Sequence, residues 1–550
     1  MPLATRSCWL LSDVKSAHHI SVRKQLVRAP RLSYPCVVEK LFAFDTRALD
    51  RARASRDARF DGKFFIAVTS TRIYCRPVCK VRDAKRSNIR YYPTAAAAAE
   101  AGFRPCLRCR PEAAPGTPAW LGTLGVVRRG LRLIEEGALD DRSVEEMAEQ
   151  LGIGARHLHR LFVQHLGASP IAIAQTRRLH FAKQLLDETR LPITSIAMAA
   201  GFRSIRRFND LFRQTYRRPP REIRKLRSAD LREAGTDEVV LRLAYRPPYD
   251  WTHLHRFLAL RAIPGVETSD QWSYARTVAT AGGGWALVRV RQAEGDNALE
   301  FRVSSADPRA LLHLSTVARR VFDLAADPAT IATALADDRI LAPLVERRPG
   351  LRIPGVWDPF ECAVRAIVGQ QVSLAAGLTL VRRLVERAGR PISSSIDALT
   401  HLFPAPAAIV DADLSGLGLT SNRIVALKSL AAAIVDGALD FGAGAEEVIA
   451  TLTRIRGIGA WTAHYIALRA LGEPDAFPSA DLVLRKAASG SNGTLSASAL
   501  ESRAETWRPW RGYAAIHLWS APAHARAIRS AASASRANRP GGRRGARREA

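Results

Sequence analysis

The chain has 550 residues, 47% of them hydrophobic, and a formal net charge of +30. That length holds several domains rather than one core, and no apolar run of about 18 residues is present to cross a membrane as a helix. The charge could be a solubility feature or a compositional arginine bias, but a polyanionic partner is the better reading, because clustered cations gain by releasing counterions from nucleic acid. Seven cysteines without a secretory apolar segment argue against a disulfide-stapled exported protein. The expectation is a cytoplasmic protein that works on DNA and not at a membrane.

Residues 1–40 are basic and patternless, and are expected to be an unstructured or mis-assigned leader. A compact unit follows over 41–112, with a strand-like stretch KFFIAVTSTRIYC and a helix-like TAAAAAEAGF. It carries Cys75 and Cys79 as C-x3-C, then 26 residues, then Cys106 and Cys109 as C-x2-C. Two close thiol pairs joined by a compact segment can close a tetrahedral zinc site. Four thiolates make that centre anionic, yet Arg72, Arg76, Lys80, Arg82, Arg108 and Arg110 lie near it, which suggests a site facing DNA. On spacing alone a purely structural zinc staple is the more economical reading.

The linker PEAAPGTPAW marks a boundary. Residues 121–226 read as nearly all helix and contain two similar stretches about 50 residues apart, MAEQLGIGARHLHRLFVQHLGASP and IAMAAGFRSIRRFNDLFRQTYRRPP. Each has a short helix, a turn glycine (Gly152, Gly201) and a basic second helix, which is a helix-turn-helix written twice. Arg156, His157, Arg160, Arg203, Arg206, Arg207 and Arg213 are the candidate DNA contacts, mostly to phosphate. Any one of them could instead be a solvated surface charge.

After the charged stretch RKLRSADLREAGTDE, residues 238–350 show strand-like alternation in VVLRLAY, WALVRVR and ALEFRVS. Residues 351–520 are helical, and 521–550 read as a basic disordered tail. Within the helical block, Gly457-Ile458-Gly459 sits between two helical stretches, and Asp481 follows 22 residues after Gly459. This reads as a helix-hairpin-helix, whose turn amides bind a DNA phosphate. The plainer alternative is that Asp481 merely caps the helix LVLRK, a reading the motif context disfavours.

The segment FDGKFFIAVTSTRIYCRPVCK…GFRPCLRCRP resembles the N-terminal domain of the bacterial Ada adaptive-response proteins, including all four cysteine positions. The resemblance implies one zinc ion held by Cys75, Cys79, Cys106 and Cys109, with Cys75 also accepting a methyl group from a DNA methylphosphotriester. The helix-turn-helix pair resembles the AraC-type DNA-binding domain of transcriptional activators, for which RNA polymerase is an expected partner. YRPPYDW, GLRIPGVWDPFECAVRAIVGQQVS, GIGAWTAHYIALRA and WRPWRGYAAIHLW resemble the AlkA-type 3-methyladenine DNA glycosylases. That match implies Asp481 as the catalytic carboxylate, with Trp461, Tyr465 and Trp519 as an aromatic pocket for a cationic flipped base. Gln371 aligns with the residue that fills the vacated base stack. Gly457 and Gly459 would form the phosphate-binding turn. No organic cofactor is implied.

The expected fold class is multidomain, mainly α with α+β parts. It comprises a small four-cysteine zinc domain, an all-α double helix-turn-helix domain, an α+β N-terminal glycosylase domain and an all-α helix-hairpin-helix glycosylase domain. The implied function is adaptive-response repair of alkylated DNA combined with transcriptional activation. Trp461 replaces the Schiff-base lysine of strand-cleaving relatives, which implies a monofunctional hydrolase. Two departures bear on substrate range: Gln371 replaces an apolar wedge, and Ser520 replaces a second aromatic after Trp519. No proline-cysteine-histidine-arginine motif occurs, so O6-methylguanine repair is not expected, and Cys362 reads as a buried small residue. The alternative is a methylation-responsive regulator whose glycosylase half is catalytically silent and only scans DNA.

Overall fold

A computed structural model describes residues 45–115, 125–225, 238–490 and 493–521. The expected leader, and all but the first residue of the expected tail, lie outside the described residues. Strands β1 (Phe65–Val68), β2 (Ile73–Cys75), β3 (Ile89–Tyr92) and β4 (Arg104–Pro105) form a sheet of order β3-β1-β2-β4. Helix α1 (Ala95–Glu100) lies against it, started by the Thr94 hydroxyl, which accepts from the Ala97 amide at 3.0 Å. Its alanines let Phe65, Tyr74, Tyr92 and Phe103 pack closely as the domain core.

The next unit is all helix: α2 (Gly125–Glu135), α3 (Val144–Gln150), α4 (Ala155–Leu166), α5 (Pro170–Glu188), α6 (Ile193–Ala199) and α7 (Ile205–Tyr216). The two helix-turn-helix units are α3–α4 and α6–α7, joined by the long α5. Gly152 and Gly201 occupy the same left-handed conformation in their turns, at φ 72° and 76°, where a β-carbon is disfavoured. Ser143 and Glu146 form a capping box on α3, and Ser204 caps α7. Leu158 and Phe162 face the first core, whereas Phe208, Phe212 and Tyr216 face the second.

That second core does not stop at the helices. It runs on into a five-stranded antiparallel sheet of β5 (Glu238–Ala244), β6 (Glu267–Ser269), β7 (Ser273–Ala279), β8 (Trp285–Gln292) and β9 (Ala298–Ser305), in the order β5-β9-β8-β7-β6. Helices α8 (Trp251–Ala259) and α9 (Ala310–Val321) add Leu254, Leu314 and Val317 to the same core. Beyond α10 (Pro328–Leu335) comes the helical half: α11 (Pro359–Val368), α12 (Leu374–Ala388), α13 (Ser421–Val435), α14 (Ala445–Arg454), α15 (Ala460–Ala470), α16 (Leu482–Ala487) and α17 (Arg511–Trp519). Buried ion pairs fasten the sheet to it, Arg276 to Glu361 at 2.7 Å and Arg365 to Glu267 at 3.0 Å.

Besides this shared apolar core, polar contacts join the zinc and helix-turn-helix units to the remainder. Lys63 and Asp327 form an ion pair with both side chains only 3% exposed. The fully buried Arg246 donates from Nε to the Asp61 carbonyl at 2.9 Å and from Nη1 to the Ala325 carbonyl at 2.6 Å. Gln184 and Glu188 of α5 meet the outer edge of β5. The Gln184 amide donates to the Arg242 carbonyl and the Arg242 amide donates to Glu188, both at 3.0 Å. Among the described residues no helix is long and apolar enough to cross a membrane.

Candidate functional site

The four cysteines converge. Cys75 ends β2, where its register opposite Ile66 is fixed by the sheet; Cys79 lies in the following turn, and Cys106 follows β4, its amide donating to the Tyr74 carbonyl at 2.9 Å. One sulfur from each of Cys75, Cys79, Cys106 and Cys109 lies within 4.8 Å of the others. A tetrahedron of Zn–S bonds of about 2.3 Å has edges of about 3.8 Å, so the donor set fits zinc. Cys75 and Cys109 are pushed far above the ordinary thiol range, each first by its hydrogen bond to Cys106, while Cys106 is drawn far below it by Cys109. By themselves the four sulfurs cannot all ionise, and a cation among them is what would permit it. Cys75 is 7% exposed; Cys109 is the half-buried member of the set.

The surrounding cations divide into two groups. Arg72, Lys80, Arg82 and Arg108 are exposed. Arg76 and Arg110 instead turn inward. Arg76 donates from Nε to Asp61 at 2.9 Å and from its backbone amide to Cys109 Sγ at 3.4 Å, and Arg110 pairs with Asp187 at 3.0 Å and Glu188 at 2.7 Å. Those two hold the cysteine loops to the protein and are not free to meet phosphate. In the helix-turn-helix units Arg156, His157, Arg160, Arg203, Arg206, Arg207 and Arg213 are all exposed.

In the helical half, Asp481 stands at the N-cap of α16, and its carboxylate accepts from the Leu484 amide at 2.9 Å. The same carboxylate accepts from the indole N–H of Trp461 at 3.0 Å and of Trp519 at 3.1 Å. Capping and catalytic readings therefore describe one group. Trp461 and Tyr465, one turn apart on α15, stack with ring centres 5.5 Å apart and planes within 10°. Tyr465 meets Trp519 edge-on at 6.3 Å. Asp475, a second carboxylate on the loop before α16, is bound by Arg511 at 2.9 and 3.1 Å and by Arg508, so its charge is already answered.

Gly457 and Gly459 form the turn between α14 and α15. Gly457 has φ 92°, and a β-carbon there would lie 3.0 Å from that of Ala426; at Gly459 the same space is open. Gln371 is exposed in the turn between α11 and α12, in a left-handed conformation at φ 53° that only Asn, Asp and glycine adopt readily. Its neighbour Gln370 ties this turn to the hairpin, donating to the Gly457 carbonyl at 3.0 Å and to Thr462 at 3.2 Å. Ser520, in place of an aromatic, bonds His253 at 3.3 Å and the Ile516 carbonyl at 2.7 Å. Cys362 is 4% exposed, and burial pushes its thiol up to about 11.

Sequence reasoning missed Arg469. It donates to the Tyr465 hydroxyl at 2.7 Å and stands over the Tyr465 and Phe257 rings at 5.5 and 4.7 Å. The signal was present in the spacing, since Trp461, Tyr465 and Arg469 recur every fourth residue on one face of a helix.

Comparison with known proteins agrees with this layout. Residues 48–112 match the metal binding domain of Ada, 147–226 a helix-turn-helix domain, 240–358 the AlkA N-terminal domain, and 364–512 the HhH-GPD superfamily of base excision DNA repair proteins. The chain is 40% identical over 478 residues to a "probable bifunctional transcriptional activator/DNA repair enzyme AlkA" of Mycobacterium tuberculosis, covering 86% of this chain and 96% of the relative. It is 35% identical to DNA-3-methyladenine glycosylase 2 of Escherichia coli, over 50% of this chain and 95% of that one. To the bifunctional transcriptional activator/DNA repair enzyme Ada of the same organism it is 38% identical, over 27% of this chain and 40% of that one. The chain belongs to the family of bifunctional transcriptional activator/DNA repair enzymes in which Ada-type and AlkA-type parts share one polypeptide.

Proposed function

We propose that this chain takes a methyl group from DNA methylphosphotriesters on Cys75 and hydrolyses the N-glycosidic bond of alkylated bases such as 3-methyladenine at Asp481. The observation that carries the reading is the Asp481 carboxylate, aimed by two indole N–H groups into a cluster of three aromatic rings. A base alkylated on a ring nitrogen is already cationic, so breaking its bond to the sugar needs no dedicated acid. The bonding electrons leave with the base and neutralise it, water adds to the sugar carbon, and Asp481 stabilises the positive charge that develops there. Trp461, Tyr465 and Trp519 offer the electron-rich faces that attract a cationic base.

At the other site, zinc held by the four cysteines would keep their sulfurs ionised. The Cys75 sulfur attacks the methyl carbon, an S–C bond forms, and the C–O electron pair returns to the phosphodiester. The step cannot be reversed by water, so each chain reacts once. One thiolate charge is lost, which weakens repulsion from phosphate and favours binding by the helix-turn-helix units.

The test is release of free base from methylated duplex DNA. Wild type is expected to release 3-methyladenine, and Asp481→Asn to lose about 100-fold or more in single-turnover rate. Equal release by both would remove Asp481 from the chemistry. Release by neither would leave the scanning regulator as the better reading.

A further inference from the structure

Helix α2 belongs by sequence to the DNA-binding unit, yet it grips the helix-hairpin-helix of the other half. Arg128 donates from Nη2 to Glu473 Oε2 at 2.8 Å. One turn later, Arg132 donates from Nη2 to the Phe441 and Ala443 carbonyls at 3.0 and 3.1 Å. Between them, Arg129 approaches to 4.0 Å of the β-carbon position of Gly444, the residue that caps α14. Glu473 lies just beyond the Leu471 cap of α15, and Phe441–Ala443 lead into the Gly444 cap of α14. A single helix from the regulatory half thus holds both open ends of the hairpin, opposite the Gly457–Gly459 turn.

Glu473 also begins the loop that carries Asp481. Among the described residues, three side chains anchor that loop, Glu473 on Arg128, Asp475 on Arg508 and Arg511, and Phe477, which meets Trp507 edge-on at 5.8 Å, while the Gly512 amide adds a main-chain bond to the Pro474 carbonyl at 2.7 Å. The second and third come from the helical half itself. Only the first comes from α2, and it is the one nearest to α15, the helix bearing Trp461 and Tyr465.

We propose that α2 is a working part of the glycosylase, with Arg128 and Arg132 as positioning residues that fix the hairpin and the Asp481 loop relative to each other. The proposal rests on the glycosylase reading given above. Its consequence is that the regulatory half sets the rate of base excision through this contact without touching the substrate.

The experiment uses the full chain in four forms: wild type, Arg128→Glu, Glu473→Arg and the double exchange. Each is assayed for single-turnover base release across a range of methylated DNA concentrations, and for amide hydrogen exchange over residues 441–444 and 471–481. Each single variant is expected to lose about tenfold in the rate at saturating DNA, with little change in the half-saturating concentration and with faster exchange in both segments. The double exchange, which restores an opposite-charge pair, is expected to recover most of the rate and the protection. Unchanged rates and exchange in the single variants would overturn the proposal. So would a loss that falls on half-saturation alone or that the double exchange does not repair. If wild type releases no base, the glycosylase reading fails, and the exchange data still decide whether α2 holds the hairpin.

Discussion

Cys75 and Cys362 show how position decides what a thiol can do. Cys362 lies inside α11 among apolar neighbours, where burial raises its pKa and keeps it neutral and inert. Cys75 is nearly as buried, but three other sulfurs lie within reach of its own. Exposure does not single it out, because Cys109 is the more open sulfur. The proposed methyl acceptor must therefore be identified by product. After incubation with DNA bearing methylphosphotriesters, the intact protein should gain the mass of one methylene unit. Peptide mapping should place it on Cys75, and Cys75→Ala should show no gain. A methyl mapped to Cys109 would reassign the acceptor while leaving the zinc donor set as it is.

At the scale of elements, the hairpin turn depends on two glycines in different ways. Gly457 needs its left-handed backbone and lacks room for a β-carbon, whereas Gly459 has ordinary φ and open space. Gly457→Ala should therefore destabilise the chain by roughly 1–2 kcal/mol, seen as a lower unfolding midpoint, and weaken binding to DNA. Gly459→Ala should leave the midpoint in place and weaken DNA binding alone, since a phosphate approaching the α15 amides would meet the new methyl group. Calorimetry and DNA titration of the two variants separate these outcomes.

Local elements such as these were legible in the sequence because their determinants are local. The turn glycines and the cysteine pairs lie within a few residues of what they build. The convergence of Trp519 on Asp481 came only through family likeness, since 38 residues separate them. The inward turn of Arg76 and Arg110 was not legible, because their partners Asp61 and Asp187 are set by tertiary packing and not by spacing. The contact between Arg128 and Glu473 spans 345 positions, and no periodicity reports it.

For the whole molecule, the joint between the halves combines a shared apolar core with buried charge. Lys63 and Asp327 meet in a nearly water-free interface, where one partner without the other is costly. Lys63→Met should lower stability by about 3–5 kcal/mol. Adding Asp327→Asn, which keeps an oxygen to cap α10 through the Thr330 amide, should recover much of that loss. Urea unfolding of the full chain measures both, and equal destabilisation by the single and double variants would show that packing, not charge, holds this joint.

The edge of β5 has a consequence for dividing the protein. In the whole chain its outward amide and carbonyl at Arg242 are satisfied by Glu188 and Gln184. A fragment starting at Glu238 would bare the edge of β5 at Arg242 next to apolar surface once covered by α5. Such edges recruit strands from neighbouring molecules. Within the whole chain α5 therefore also serves as an edge cover for β5, and a fragment lacking it is expected to self-associate in light scattering.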